Sequence, residues 1–185
     1  MSTRSLVMVA LFTAIIVVLG LIPPLMLTIV PVPIHAQSLG VLLAGVVLGA
    51  RGGALSALLL MVLVAIGLPV LSGGRGGLAV FLSPTAGYLV GYLPAALVTG
   101  WLAGKAAAAP AGWRVFAGFF GAAVAGVAID HAFGIAWLVF YVGLSPMEAL
   151  IGDLVFVPGD MLKAAIAASV GQFILTQFGD RLRVR

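Results

Sequence analysis

Long apolar runs, separated by short stretches of proline, glycine and isolated charge, account for most of the chain, and each run reads as a bilayer-crossing helix. The first run, about 6–22, follows Arg4 and stops at Pro23-Pro24. No small-residue cleavage site precedes those prolines and further apolar runs follow, so a span is expected there and not a secretory leader. A charge-free, proline-bounded linker, 23–33, leads to a second helix over 34–49. Ala50-Arg51-Gly52-Gly53 is expected as a tight turn before a third helix, 54–66, which is short for a full span and so tilted or ending in a cavity wall. The glycine-dense stretch 67–84 breaks helix and suits a close-fitting loop. A fourth helix is predicted over 85–103, an alanine-rich linker with Pro110 over 105–114, and a fifth helix over 115–141. Ser145-Pro146-Met147-Glu148 carries a serine cap, an N1 proline and an early acid, the signature of a short helix start. The last helix runs 158–178, ahead of the tail Asp180-Arg181-Leu182-Arg183-Val184-Arg185.

This pattern predicts an all-α membrane bundle of six transmembrane helices in a single domain, 1–185. An even number of spans puts both termini on one side. Arg4, Arg51, Lys105, Arg114, Arg181, Arg183 and Arg185 then share that side, while Arg75 lies opposite with Glu148 and Asp153. The Lys/Arg bias makes the shared side cytoplasmic. Composition agrees: 185 residues are 63% hydrophobic and 8% charged, with a mean hydropathy of +1.30. Unbroken apolar runs disfavour a β-barrel, whose strands alternate. The net charge of +4 is explained by positive-inside topology, so nucleic acid is not expected as a partner. Without cysteine there is neither a disulfide framework nor a thiolate nucleophile.

Charge within apolar sequence singles out Asp160 and Lys163. If the chain turns helical at Pro158, the three-residue spacing sets both on one face. In a bilayer such a pair neutralises itself, faces water or grips a ligand. The topology brings Gln37, the loop Gly73-Gly74-Arg75-Gly76-Gly77, Asp160 and Lys163 to the outer ends of their helices, with Asp130 in the outer half of the fifth. A pocket of mixed sign with apolar walls suits a small solute that has an apolar body, an anionic end and a neutral hydrogen-bonding end. Lys163 would bind the anion, aided by the positive end of its helix, and Asp160 would accept from an N–H donor. Gly74 and Gly76 would let backbone amides reach the ligand, or the loop is a plain connector. Asp130 is expected to pair with Lys163 or Arg75 or to accept a helix-to-helix hydrogen bond. His131 is read as a packed polar residue, His35 as a solvated start residue, and Trp137 as a wall for a ligand ring. Trp101, Trp113 and Tyr141 read as interface anchors. Ala10 and Ala14 form a flat strip where another helix can approach, or else pack internally.

Four stretches together resemble the BioY family, the biotin-binding S components of energy-coupling-factor vitamin transporters. They are Val32-Pro33-Ile34 with Gln37 and Gly40, Gly67-Leu68-Pro69-Val70 running into Gly73-Gly74-Arg75-Gly76-Gly77, Pro84-Thr85-Ala86-Gly87-Tyr88, and Val157-Pro158-Gly159-Asp160 ending at Lys163-Ala164. The resemblance covers nearly the full chain. It implies a six-helix component that captures biotin from outside, with Asp160, Lys163 and Arg75 lining the site and Thr85 and Tyr88 among the binding residues. It also implies that Ala10 and Ala14 dock on a membrane coupling subunit driven by two ATPases, in a prokaryotic cell membrane, with several copies possible. No cofactor, metal or catalytic group is expected. Two positions depart from the family pattern in charge: some relatives carry asparagine at Arg75 and arginine at Leu89. Ala86 stands where glycine is common. A carrier for another vitamin or small carboxylate remains as an alternative. An intramembrane enzyme using Asp130, Asp160 and Lys163 ranks last, because it lacks a nucleophile beside a base, a metal set and a nucleotide loop.

Overall fold

The structure is a computed structural model that describes residues 1–24, 32, 35–108 and 112–179. Pro33, Ile34, Pro110 and the tail 180–185 lie outside the described residues, as does most of the linker that follows Pro24. The described elements are helical: α1 (Thr3–Gly20), α2 (Gln37–Ala65), a 3-10 turn (Leu78–Leu82), α3 (Ala86–Ala106), α4 (Trp113–Trp137) continuing into a π-turn (Leu138–Val142), α5 (Pro146–Leu154) and α6 (Val157–Phe178). Five of these, α1, α2, α3, α4 with its π-turn, and α6, are long and apolar enough to cross a membrane.

The predicted second and third helices are the two arms of α2, and the expected turn at Ala50–Gly53 is itself helical. Reversal falls on Gly49 alone (φ 81°, ψ −179°), a conformation open essentially only to glycine. The arms fold back on each other so closely that a Cβ at Gly53 would lie 2.8 Å from the Cα of Gly45. At the other end Gln37, the first residue of α2, donates to the carbonyl of Val70, just beyond its last turn. Glycine at both facing positions lets the backbones meet. In lipid, where apolar burial gives helices no net attraction for one another, such contact holds them together.

α1 packs on this hairpin through Val9, Phe12 and Ile16 and through a buried polar pair. Thr13 Oγ1 donates to the carbonyls of Val9 (2.9 Å) and Ser56 (3.1 Å), and Ser56 Oγ to Gly52 O (3.0 Å). Of these three, the Thr13–Ser56 bond crosses between helices, and interhelical bonds contribute ~0.6 kcal/mol each. α5 begins with the expected capping box: Ser145 Oγ accepts from the Glu148 amide, and the Glu148 carboxylate accepts from Ser145 N–H. Those bonds hold the Glu148 carboxyl below its usual range. The helix is inverted for a water-facing element. Met147, Leu150, Ile151 and Leu154 are exposed, whereas Ala149, Gly152 and Asp153 point inward.

The contacts also sort the two ends of the bundle. Gly20, Gln37 and Val70 meet at one end, so the N-terminus of α1 lies at the other, where Gln172 near the end of α6 donates to Gly112 O (3.1 Å). Arg4, Arg51, Lys105 and Arg114 belong to that second end; Arg75, Glu148, Asp153 and Asp160 belong to the first.

Candidate functional site

Three adjoining recesses open where the first end of the bundle gathers its polar side chains. The largest has about 350 Å³ of empty space and is lined by Val32, His35, Ser38, Tyr88, Asp130, His131, Phe156, Asp160 and Lys163. A second, of about 320 Å³, shares Val32, His35 and Tyr88 with it and adds Gln37, Leu71, Arg75, Thr85, Leu89 and Tyr92. A third, of about 250 Å³, reaches deeper between α2, α3 and α4 past Asp130 to Val41, Ala95 and Gly126.

The first two turns of α6 deliver the acid and base. Lys163 Nζ lies 2.8 Å from Asp160 Oδ1 and donates also to Ser38 Oγ at 3.0 Å, which ties α6 to the first arm of α2. The pair is therefore self-satisfied, as one reading of the spacing allowed, yet both members line the recess instead of lying in a closed core. The other Asp160 oxygen is 2.9 Å from His131 Nε2, and His131 Nδ1 is 2.6 Å from Asp153 Oδ2. Tyr88 Oη donates to Asp153 Oδ1 at 2.8 Å. One hydrogen-bonded chain, Tyr88–Asp153–His131–Asp160–Lys163–Ser38, thus runs through five helices. The rings of Tyr88, His131 and Phe156 stand edge-to-face around it, with centroids 6.2 to 6.4 Å apart.

Arg75 is set by its loop. Leu71 and Arg75 close a tight turn in which Gly73 (φ 79°) and Gly74 (φ 69°) take positive φ. Arg75 then donates from Nε to Ser72 O (3.2 Å) and from Nη1 to Thr85 Oγ1 (2.9 Å). Gln37, which is buried, holds the loop from below, donating to Val70 O and accepting from the Ser72 amide. The glycines shape the turn without lining these recesses. The Gly74 amide bonds Leu71 O and the Gly77 amide bonds Val64 O, so those two N–H groups are engaged within the protein. At Gly76 a Cβ would meet Leu68 O at 2.1 Å, so the close approach is to the chain's own backbone.

Several expectations change. Asp130 does not pair with Lys163 or Arg75: its Oδ1 is buried with no hydrogen-bond partner, against Gly91. The ionic partner from α4 is the next residue, His131, which was read as a packed polar side chain. His35 is no solvated start residue; it lines both larger recesses, and burial together with the nearby positive Lys163 pulls its imidazole down to about 4. Trp137 is absent from the lining. It donates to Ser83 O (2.9 Å) and stacks on Tyr141 (4.4 Å between centroids). Trp101 and Trp113 are exposed, with Lys105 over the Trp101 ring at 3.5 Å. Arg75 and Leu89, the positions that depart from the resemblance in charge, face the same recess, so moving the charge between them keeps it within that recess. Asp153 was missed as a site residue. Its signal was an acid in nine residues of otherwise almost wholly apolar helix, on the face that α5 turns inward. Among the described residues no group of three or more His, Cys, Asp or Glu is placed to hold a metal ion.

What the arrangement offers a solute is a cationic Lys163 backed by Arg75, a carboxylate on Asp160, and apolar walls from Val32, Tyr88 and Phe156. Comparison with known proteins points the same way. A family model described as the BioY family matches residues 1–180. A biotin transporter BioY of Rhizobium etli is 53% identical over 180 residues, covering 96% of each chain. A biotin transporter BioY of Rhodobacter capsulatus is 46% identical over 180 residues, 92% of this chain and 93% of the relative. A crystal structure of the S-component for biotin from an ECF-type ABC transporter superposes over 100% of both chains with a TM-score of 0.90 at 32% sequence identity.

Proposed function

We propose, from the premise that this chain belongs to the BioY family, that it is the biotin-capturing component of an ATP-driven vitamin transporter. It is a multi-pass membrane protein of prokaryotic type and a transporter component, not an enzyme. The observation that carries the reading is the Asp160–Lys163 pair facing a recess that also offers apolar walls from Val32, Tyr88 and Phe156. Biotin fits that chemistry. Its carboxylate meets Lys163 and, across the adjoining recess, Arg75; its ureido N–H groups meet Asp160; its ring and chain lie against Val32, Tyr88 and Phe156. Gln37, Thr85 and the glycines 73, 74, 76 and 77 act through the loop that sets Arg75, and Asp130 faces the ligand from α4. Titration of purified protein with labelled biotin tests this: saturable binding without turnover is expected, and absence of binding, or product formation, rejects it.

Six crossings follow from counting the two arms of α2 separately, with both termini cytoplasmic and the recess facing outward. The Arg and Lys residues at the second end support that orientation. Because the chain has no cysteine, single introduced ones report without background. Leu78→Cys is expected to react with an impermeant thiol reagent on whole cells, and Lys105→Cys only after lysis; the reverse pattern would invert the topology. Ala10 and Ala14 are exposed on α1, opposite the face that packs on α2, and are read as the strip that meets a membrane coupling subunit served by two ATPases. More than one copy can take part in the assembly.

A further inference from the structure

The geometry points to His131 as the positioning residue that sets the charge of the recess, leaving Lys163 able to receive an anion although it is already paired with Asp160. This rests on the reading that the recess binds biotin. Both ring nitrogens of His131 face carboxylate oxygens, at 2.6 Å to Asp153 and 2.9 Å to Asp160. A nitrogen lone pair does not sit that close to a carboxylate lone pair, so each line holds a proton. Wherever along the two lines those protons reside, Asp153, His131 and Asp160 together carry a single negative charge, which Lys163 cancels. Arg75 on the adjoining recess then supplies a positive charge that the trio does not cancel, and it can meet a ligand carboxylate. His35, the other imidazole on the lining, is neutral at pH 7 and adds nothing. Asp130 faces the same recess outside the hydrogen-bonded chain and enters every comparison below equally.

Without the second proton of His131 the same trio would carry two negative charges. Lys163 would be spent on Asp160, and an incoming carboxylate would meet no net attraction. Asp153 is the counter-charge that makes the doubly protonated ring tolerable in an apolar setting, and the Tyr88 hydroxyl fixes its second oxygen. His131 therefore touches the ligand's charge through Asp160 and Lys163.

The test measures equilibrium binding of biotin and of biotinamide, which has the same ring and chain with an uncharged end, to the full chain in detergent. Wild type is expected to prefer biotin. In His131→Gln that preference, the ratio of the two affinities, should shrink by roughly tenfold or more, because one positive charge leaves the site. The double variant His131→Gln with Asp153→Asn removes one charge of each sign and should restore the preference. An undiminished preference in His131→Gln, an equal loss for both ligands, or failure of the double variant to recover each overturns the inference. A wild type that binds both ligands alike overturns it too. If wild type binds no biotin, the functional reading fails and this inference with it; if it does bind, the variants judge His131 alone.

Discussion

Lys163→Ala is expected to weaken biotin binding by about 2 to 5 kcal/mol, a loss of ~30-fold to several thousandfold, because a carboxylate buried beside it would lose its closest cation. The pair geometry adds to the effect. Lys163 is held by Asp160 at 2.8 Å and Ser38 at 3.0 Å, so its ammonium is already fixed where the ligand arrives and its ordering costs little on binding. Removing it also leaves Asp160 to face the ligand with only His131 to balance it. Equilibrium titration with labelled biotin checks the prediction, alongside a thermal-unfolding scan that separates lost binding from lost fold. Affinity equal to wild type takes Lys163 out of the site. A parallel Arg75→Ala variant ranks the two cations. Arg75 is anchored to Ser72 and Thr85 on the adjoining recess, and a larger loss there than at Lys163 would move the carboxylate to the loop side.

Ala14→Trp is expected to leave biotin binding at the wild-type level and to abolish assembly with the coupling subunit. The physical reason lies in which side of α1 is used. Val9, Phe12, Thr13 and Ile16 turn inward onto α2, whereas Ala10 and Ala14 are exposed and flanked by exposed Leu6, Val7, Leu11 and Val18. An indole on that strip meets only lipid in the isolated protein, so the fold has no reason to change. Against a partner helix it would hold the backbones apart, and small residues matter in membranes because they permit that approach. Co-purification from cells expressing the partner subunits measures it. Recovery of partners at the wild-type level would remove α1 from the docking surface, and loss of biotin binding would place Ala14 in the fold instead.

Much of this architecture was legible in the chain because bilayer-crossing helices announce themselves by length and hydropathy alone. The starts of α3, α4, α5 and α6 lie within a few residues of their predicted positions, and the Ser145 capping box formed as its spacing implied. The hairpin of α2 was read correctly as two segments, but the reversal was assigned to the Ala50–Gly53 stretch when Gly49 alone carries it. Any of the glycines at 45, 49, 52 and 53 can turn a chain, and only the packing of the facing arms chooses among them.

At the site the division is sharper. Asp160 and Lys163 were found because three residues of helix fix their relation locally, and Arg75 because glycines on either side mark a shaped loop. The chain alone determined that these charges lie in apolar surroundings and at one end of a bundle. Which carboxylate meets which base was decided by tertiary structure: His131 on α4, Asp153 on α5 and Asp160 on α6 come together from separate helices, while Asp130, next to His131, is turned toward Gly91 by the 100° step between consecutive helical residues. Hydropathy reports how much polarity a span carries, whereas the partner of each polar group depends on helix rotation and crossing, which arise only when all the helices pack at once.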